Sequence, residues 1–247
     1  EGAWILVLNN ISTLKELDAL KTQMLRMASH DLKNPLSIIL GSTGMLLSGV
    51  IPDSHESVLA IDDAARRMNQ IISDIMDIER LRSGRLDLRK SDLSAVVRDV
   101  YSEYLNQAVA KAQTLTITVP PAVMARLDVR QMREAIANLV GNAIKYTPTG
   151  GAIAVEASVI GQSAVRLTVR DNGLGIAKAA QVDLFKPFYR VRTKATSEIE
   201  GTGLGLSIVK AVIDAHHGKI WLDSEEGKGT TFYVELPYTP FDEGNDA

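Results

Sequence analysis

Asn138, Asn142 and Lys145 stand at spacings of four and three, so on a helix they share one face. Two amides and an ammonium suit polyphosphate and a hard divalent cation, because amide oxygens can ligate a cation that keeps most of its waters. Taken alone, the trio is equally an ordinary polar helix face. Asp171-Asn172-Gly173-Leu174-Gly175-Ile176 directly follows strand-like alternation. A carboxylate at a strand end can accept a hydrogen bond from an exocyclic amine, and glycines let backbone approach a flat ring. Gly201-Thr202-Gly203-Leu204-Gly205-Leu206 opens a helical pattern, where free N–H groups and the helix dipole favour phosphate. Many glycine-rich loops are only turns, and Gly227-Lys228-Gly229-Thr230-Thr231-Phe232 by itself reads as a hairpin turn. No Gly-x-x-x-x-Gly-Lys-Ser/Thr is present, so any phosphate binding here is of another kind.

These groups need elements to carry them. From Ser12 to Leu47 the apolar residues Leu25, Ala28, Leu32, Leu36, Ile39 and Leu46 recur every three or four positions. They predict one helix with a single apolar stripe. Gly49, Pro52 and Asp53 interrupt it, Ser54 is a plausible N-cap, and a second stripe runs through Val58, Ile61, Ala65, Met68, Ile72 and Ile75 to Ser83-Gly84. Two such helices make an antiparallel hairpin whose broad stripes a four-helix bundle of two chains would bury, so a homodimer is expected. His30 lies roughly 160° from the centre of the first stripe and is expected to face solvent. Asn34 is one turn further on the same face, Asp31 adjoins His30, and Pro35 removes a helical hydrogen bond beside them. An isolated histidine in this position would ordinarily be just a solvated side chain.

Beyond the hairpin, strands are expected at 85–90, 115–119, 123–127, 153–160, 165–171, 219–224 and 230–236. Helices are expected from Asp92 to about Gln113, from about Arg130 to Lys145, and from Leu204 to His216. Interleaved in this way they predict one sheet with helices on one face, an α/β sandwich. The fold class is α+β: a helical hairpin forming a dimeric four-helix bundle, then the sandwich.

Of the 247 residues, 45% are hydrophobic, enough for two modest domains with cores. Lys+Arg total 27 against Asp+Glu 30; the absence of a basic excess argues against a nucleic-acid partner. There is no cysteine, which excludes disulfides and thiolate metal sites and fits a cytoplasmic location. No apolar run approaches the roughly 18 residues that cross a bilayer, so no membrane contact is expected within this stretch. Trp4-Ile5-Leu6-Val7-Leu8 reads as the last strand of an upstream domain, or else as an N-terminal strand of this one.

Ser29-His30-Asp31-Leu32-Lys33-Asn34-Pro35-Leu36 resembles the H box of the histidine kinases that use such a hairpin. The four stretches around Asn138, Asp171, Gly203 and Gly229 resemble, in order and spacing, the N box and three glycine boxes of an ATPase domain. That domain is shared by histidine kinases, gyrase B, the ninety-kilodalton heat-shock chaperone and MutL. Phe185-Lys186-Pro187-Phe188-Tyr189-Arg190 is similar to the phenylalanine box of the kinases. The resemblance covers residues 20 to 237. It implies that His30 accepts phosphate from ATP, that Asp31 holds or takes the imidazole proton, and that Asn34 helps remove phosphate from a response regulator. It implies Mg²⁺ on Asn142 with Asn138 nearby, Lys145 and Tyr146 on the phosphates and nucleoside, and Asp171 on the adenine amine. Gly203, Leu204, Gly205 and Leu206 are then expected to line the phosphates. Gly173, Gly175, Ile176, Arg190, Thr202 and Thr231 complete the expected ATP-binding set, with residues 177–202 as a mobile lid carrying Lys186, Arg190, Arg192 and Lys194. The implied partners are a second copy of the chain, the receiver domain of a response regulator and an upstream sensor domain. Residues 4–13 are similar to the closing strand and exit motif of a PAS sensor, with Asn-Ile-Ser for the usual Asp-Ile-Thr. The expected division is 1–11 sensor remnant, 12–84 hairpin, 85–237 ATP-binding domain and 238–247 tail. Two other classes stay in view: a nucleotide-binding scaffold without catalysis, and an ATP-driven clamp in which a glutamate such as Glu134 activates water.

Overall fold

The structure, a computed structural model, describes residues 12–49, 54–82, 86–161, 164–191, 193–197, 199 and 201–238. The side chains of residues 12–25, 27, 30, 54 and 77–82 lie outside that description. So does the expected sensor remnant, residues 1–11. The chain divides into two compact units, Glu1–Ser73 and Asp74–Ala247.

The first unit holds helix α1 (Ser12–Ser48), with Pro35 inside it, and most of helix α2 (Ser54–Arg82). The helices form where the apolar periodicity predicts them, but of the described stripe residues on α1 only Ala28 is buried. Ala28, Pro35 and Ser42 are buried on α1, and Ser57, Ala64 and Ile71 on α2. Both sets recur every seven residues, the repeat of a helix–helix seam. On α1 that seam lies about 60° from the centre of the expected stripe, at about 100° per residue. Leu36, Ile38 and Leu40 remain 43%, 48% and 63% exposed, and Val58 and Ile72 53% and 47%. The periodicity marks every apolar position, whereas one chain covers only the edge of so wide a face.

In the second unit, β1 (Arg89–Asp92) pairs antiparallel with β3 (Met124–Leu127) in a two-stranded sheet of its own. This corrects the expectation of a single sheet and of a strand at 85–90. Pairing runs only from Arg89↔Leu127 to Asp92↔Met124, because β3 ends where Asp128 caps the next helix. Asp92 is the N-cap of α3 (Leu93–Ala110), accepting from Ser94 N at 2.9 Å, and it also accepts from Val123 N at 2.9 Å. Capping is a local signal, and here it was legible.

The main sheet orders its strands β2 (Thr114–Thr118), β4 (Ala152–Ile160), β5 (Ala164–Asp171), β7 (Gly229–Pro237) and β6 (Lys219–Glu225). Only β2 and β4 are parallel, and a parallel pair needs a crossover. The chain supplies it through α4 (Val129–Tyr146). Alternation along β5 buries Val165, Leu167 and Val169 toward the helices and turns Arg166, Thr168 and Arg170 to the other face. The helices α3, α4 and α6 (Gly205–Ala215) cover the buried face: α4 touches α3, α6, β4 and β5, while α3 touches β2 and α6 touches β6. Leu139, Ile153, Leu167, Leu204 and Ile208 are at most 2% exposed; burying each such side chain contributes about 1.5–3 kcal/mol.

The expected lid, 177–202, is folded over much of its length. It contains a short helix α5 (Lys178–Gln181), and Leu184 and Phe188 are buried. The many charges of this stretch mask two apolar anchors. No described helix is long and apolar enough to cross a membrane.

Candidate active site

α4 is the spine of the site. Asp128 caps its N-terminus through Gln131 N at 3.1 Å, and Met132, Ala135, Ile136, Leu139, Val140 and Ala143 bury one face. The opposite face therefore presents Asn138, Asn142 and Lys145, all half-buried. Asn138 donates from Nδ2 to the Glu134 carbonyl at 3.0 Å and to Glu134 Oε1 at 3.1 Å. Its Oδ1 lies 2.5 Å from where a Cβ on Gly205 would stand. Asn142 makes no side-chain hydrogen bond among the described residues. Lys145 Nζ lies 2.6 Å from the position of a Cβ on Gly201 and 5.5 Å from the Tyr146 ring centroid. The fold thus joins the N box to the second glycine box, and side chains at Gly201 or Gly205 would displace Lys145 or Asn138.

Asp171 ends β5 and is 9% exposed. Its Oδ1 accepts from Gly173 N at 2.8 Å and Thr230 N at 3.2 Å. Oδ2 has no partner among the described residues. Burial pushes the carboxyl above its usual range, and the two backbone N–H groups pull it part of the way back. A Cβ on Gly173 would stand 2.5 Å from the Tyr146 carbonyl, and one on Gly229 (φ +103°) 2.1 Å from the Asp171 carbonyl. Both positions require glycine for space, and Gly229 for conformation as well.

The register brings the third glycine box to Asp171 through Thr230, which pairs with it across β5 and β7. Thr231, the residue expected in the site, is next along the strand, so its side chain lies on the other face from Thr230. Ile176 N donates to Ser224 Oγ at 2.8 Å, and Gln181 Nε2 donates to the Ile176 and Ser224 carbonyls. Gly203 (φ +73°) packs on Phe188 backbone, and its carbonyl accepts from Phe188 N at 2.9 Å. Leu204 N donates to Thr202 Oγ1, and Leu204 itself is fully buried, a core residue as well as a loop residue. Leu206 is half-buried. Arg190 donates to the Ile199 carbonyl. Tyr146 is raised by burial and lowered by the nearby Arg190 charge. Lys186 pairs with Asp183 at 2.5 Å, and Arg192 lies outside the described residues.

Sequence reasoning missed the groups that hold the end of α4. Lys111 Nζ donates to the Ile144 carbonyl at 2.7 Å and the Thr147 carbonyl at 3.2 Å. Gln113 Nε2 donates to the same two carbonyls at 3.0 and 2.6 Å. Together they satisfy the orphan acceptors at the helix terminus that carries Lys145 and Tyr146. No local pattern marks them; the chain turns between them at Ala112, whose φ is +50°.

On α1, Asp31 is half-buried, Asn34 exposed and Pro35 buried. The side chain of His30 lies outside the described residues.

The donor set fits Mg²⁺. Asn138 turns an oxygen toward the second glycine box and Asn142 has its amide uncommitted. No group of three or more His, Cys, Asp or Glu among the described residues could hold a metal. A cation here would take its other ligands from phosphate and water, the usual Mg²⁺ arrangement in nucleotide sites.

Fold and site together define a nucleotide-binding α/β sandwich that follows a histidine-bearing helical hairpin. Residues 20–84 match the His Kinase A (phospho-acceptor) domain, and residues 127–240 match the histidine kinase-, DNA gyrase B- and HSP90-like ATPase. With these two domains in this order, the chain belongs to the histidine kinases. It is 31% identical over 232 residues to the sensor histidine kinase TmoS of Ectopseudomonas mendocina, covering 92% of this chain and 24% of that protein. It is 30% identical over 238 residues to the sensor protein SrrB of Staphylococcus aureus, covering 94% of this chain and 41% of that one. The chain therefore spans between about a quarter and two fifths of these relatives. Among solved structures, histidine kinase ThkA in complex with the response regulator protein TrrA superposes with a TM-score of 0.72 at 24% identity, covering 92% of this chain and 64% of that one. Acinetobacter baumannii AdeS superposes at 0.70 and 24% identity, covering 85% and 98%. Both agree with the fold described here.

Proposed function

We propose that this chain binds Mg·ATP on the α4 and glycine-box face and transfers the γ-phosphoryl group to His30. The observation that carries the nucleotide reading is Asp171. Two backbone N–H groups hold one oxygen while the other is open, beside a glycine whose position admits no side chain. Such a carboxylate suits the exocyclic amine of adenine. Lys145 would neutralise phosphate charge, and the N–H groups at the start of α6 would add donors. Mg²⁺, held by Asn142 with Asn138 beside it, would supply charge neutralisation on the polyphosphate. In the transfer, an imidazole nitrogen of His30 forms a bond to the γ-phosphorus, the bond from that phosphorus to the bridging oxygen breaks, and ADP leaves. The imidazole proton passes to Asp31 or is oriented by it. Positioning and electrostatics do most of the work in such a reaction.

On the same reading the phosphoryl group passes to an aspartate of a response regulator. Asn34, exposed on α1, would assist its later removal by positioning water. ThkA, similar in fold, is bound to a response regulator protein, which supports a regulator as partner. The exposed apolar positions of α1 and α2 support a homodimeric bundle; the location we assign is cytoplasmic. The domain limits we assign are 12–84 for the hairpin and 85–237 for the ATP-binding unit, after an upstream sensor and before a short tail. Incubation with labelled ATP and Mg²⁺ is expected to yield acid-labile, base-stable phosphate on the protein. His30→Gln is expected to eliminate it and leave ATP affinity within about threefold, less than the tenfold that 1.4 kcal/mol represents. Label persisting at wild-type level would refute the assignment.

A further inference from the structure

Asn138 can offer the glycine box either an oxygen or an NH₂, and these have opposite consequences for a cation. The choice follows from the chemistry around the amide. On one side stand two groups that only accept, the Glu134 carbonyl at 3.0 Å and Glu134 Oε1 at 3.1 Å. Turning the amide over would set its oxygen against both and lose two hydrogen bonds. The backbone carbonyl alone holds the amide weakly, because it also serves as acceptor in the helical ladder one turn below. The Glu134 side-chain oxygen supplies the second acceptor that decides the orientation. On the other side Oδ1 points at Gly205, the first residue of α6, at 2.5 Å from the place of a Cβ.

We infer that Glu134 is a positioning residue of the kinase, locking the Asn138 amide so that an oxygen faces the metal and phosphates at the second glycine box. The inference rests on the reading of this face as the metal side of an ATP site. It also assigns the carboxylate a role other than the activation of water that an ATP-driven clamp would require. Glutamine at position 134 could keep the acceptor for Asn138 Nδ2 and remove the charge, whereas leucine would remove both.

The test compares Glu134→Gln, Glu134→Leu and Glu134→Ala in the whole chain, by equilibrium binding of a fluorescent ATP analogue with Mg²⁺ titrated in, and again in chelator. Melting curves check the fold, and the alanine variant removes the acceptor without adding bulk. Glu134→Gln is expected to stay within about threefold of wild type in Mg²⁺-dependent affinity. Leucine or alanine is expected to weaken it about tenfold or more and to leave metal-free binding unchanged, and autophosphorylation should follow the same order. A glutamine variant as damaged as leucine would overturn the inference, because the charge itself would then act on metal or water. So would full Mg²⁺ dependence in the leucine and alanine variants. Wild-type binding that ignored Mg²⁺ would overturn the assignment of the face itself, and the inference with it.

Discussion

Asp171→Asn changes one atom, and the site makes its effect calculable. Three donors converge on the native carboxylate: Gly173 N and Thr230 N on Oδ1 and, in the proposed complex, the adenine amine on Oδ2. An amide has only one accepting side. If asparagine keeps its oxygen toward the two backbone groups, its NH₂ meets the adenine amine donor to donor. If it turns over, two backbone donors lose their acceptor instead. A hydrogen bond to a charged group contributes about 1.5–3 kcal/mol, and an unsatisfied buried donor costs about 1–3 kcal/mol. At 1.4 kcal/mol per tenfold, ATP affinity should fall by about a hundredfold or more. The apo fold should suffer little. Burial raises the native carboxyl, so at neutral pH the ionised form is less favoured in the fold than in the unfolded chain. Removing the charge recovers that penalty and offsets the weaker bonds to Gly173 and Thr230. A change within about 1 kcal/mol shifts the melting temperature by only a few degrees. The assay is calorimetric titration with ATP and with a 6-oxo purine triphosphate, beside melting of the apo protein. The 6-oxo nucleotide, which accepts where adenine donates, should gain relative to ATP. An asparagine variant that binds ATP within threefold of wild type, with unchanged base preference, would refute the reasoning.

Asn142→Ala should abolish phosphate incorporation at saturating Mg·ATP while the melting temperature stays within a few degrees, since the side chain makes no hydrogen bond in the described structure; near-normal turnover would make this face structural. Asn34→Ala should retain autophosphorylation and lose decay of a phosphorylated regulator with Mg·ADP, whereas Asp31→Asn should mainly lose autophosphorylation; equal loss of both in Asn34→Ala would assign Asn34 to the helix. His216 is buried, with Nδ1 donating to the Val212 carbonyl at 2.7 Å and Nε2 accepting from Asp128 N at 3.0 Å. Burial lowers its pKa, and His217 opposes protonation as well, while the Val212 carbonyl and Asp128 favour it. The net pKa lies below the ordinary value near 6.5, so the unfolded chain takes the proton first. The stability gained from the neutral ring is whole above about pH 6.5 and is lost as pH falls through the folded value. One proton changes stability by at most about 1.4 kcal/mol per pH unit, so a loss of up to about that size should appear in urea melts between pH 7.5 and 5.5 and be absent from His216→Gln; equal pH dependence in both proteins would contradict it.

Much of this molecule could be read from local pattern. Asp92 stands just before an apolar periodic run and caps the expected helix; the helix expected from about Arg130 begins at Val129. Alternation in 153–160 and 165–171 around Gly161 gave a hairpin that pairs from Ile153↔Asp171 to Ile160↔Ala164. The spacing of Asn138, Asn142 and Lys145 put them on one face before any contact was known. Each of these is decided within about one helical turn or one strand pair, by rotation per residue and by hydrogen bonds between near neighbours. The stripe on α1 is read locally in the same way, and within one chain only its edge is covered. It reports which residues are apolar, but burial depends on what lies opposite.

The order and spacing of the motifs, the caps and the residue types able to bind phosphate or accept it were properties of the sequence itself. Only the tertiary structure decided that Asp171 meets Thr230, 59 residues away, and that Lys111 and Gln113 close the end of α4 from 31 to 36 residues upstream. It also decided that β1 and β3 leave the main sheet, and that Gly205 comes to face the Asn138 amide. Such contacts depend on the order and register of five strands and on where the crossover helix comes to rest. No period along the chain encodes those, because they arise from the shared burial of residues such as Leu139 on α4, Leu167 on β5 and Ile208 on α6, which is complete only once the sheet and its helices have assembled.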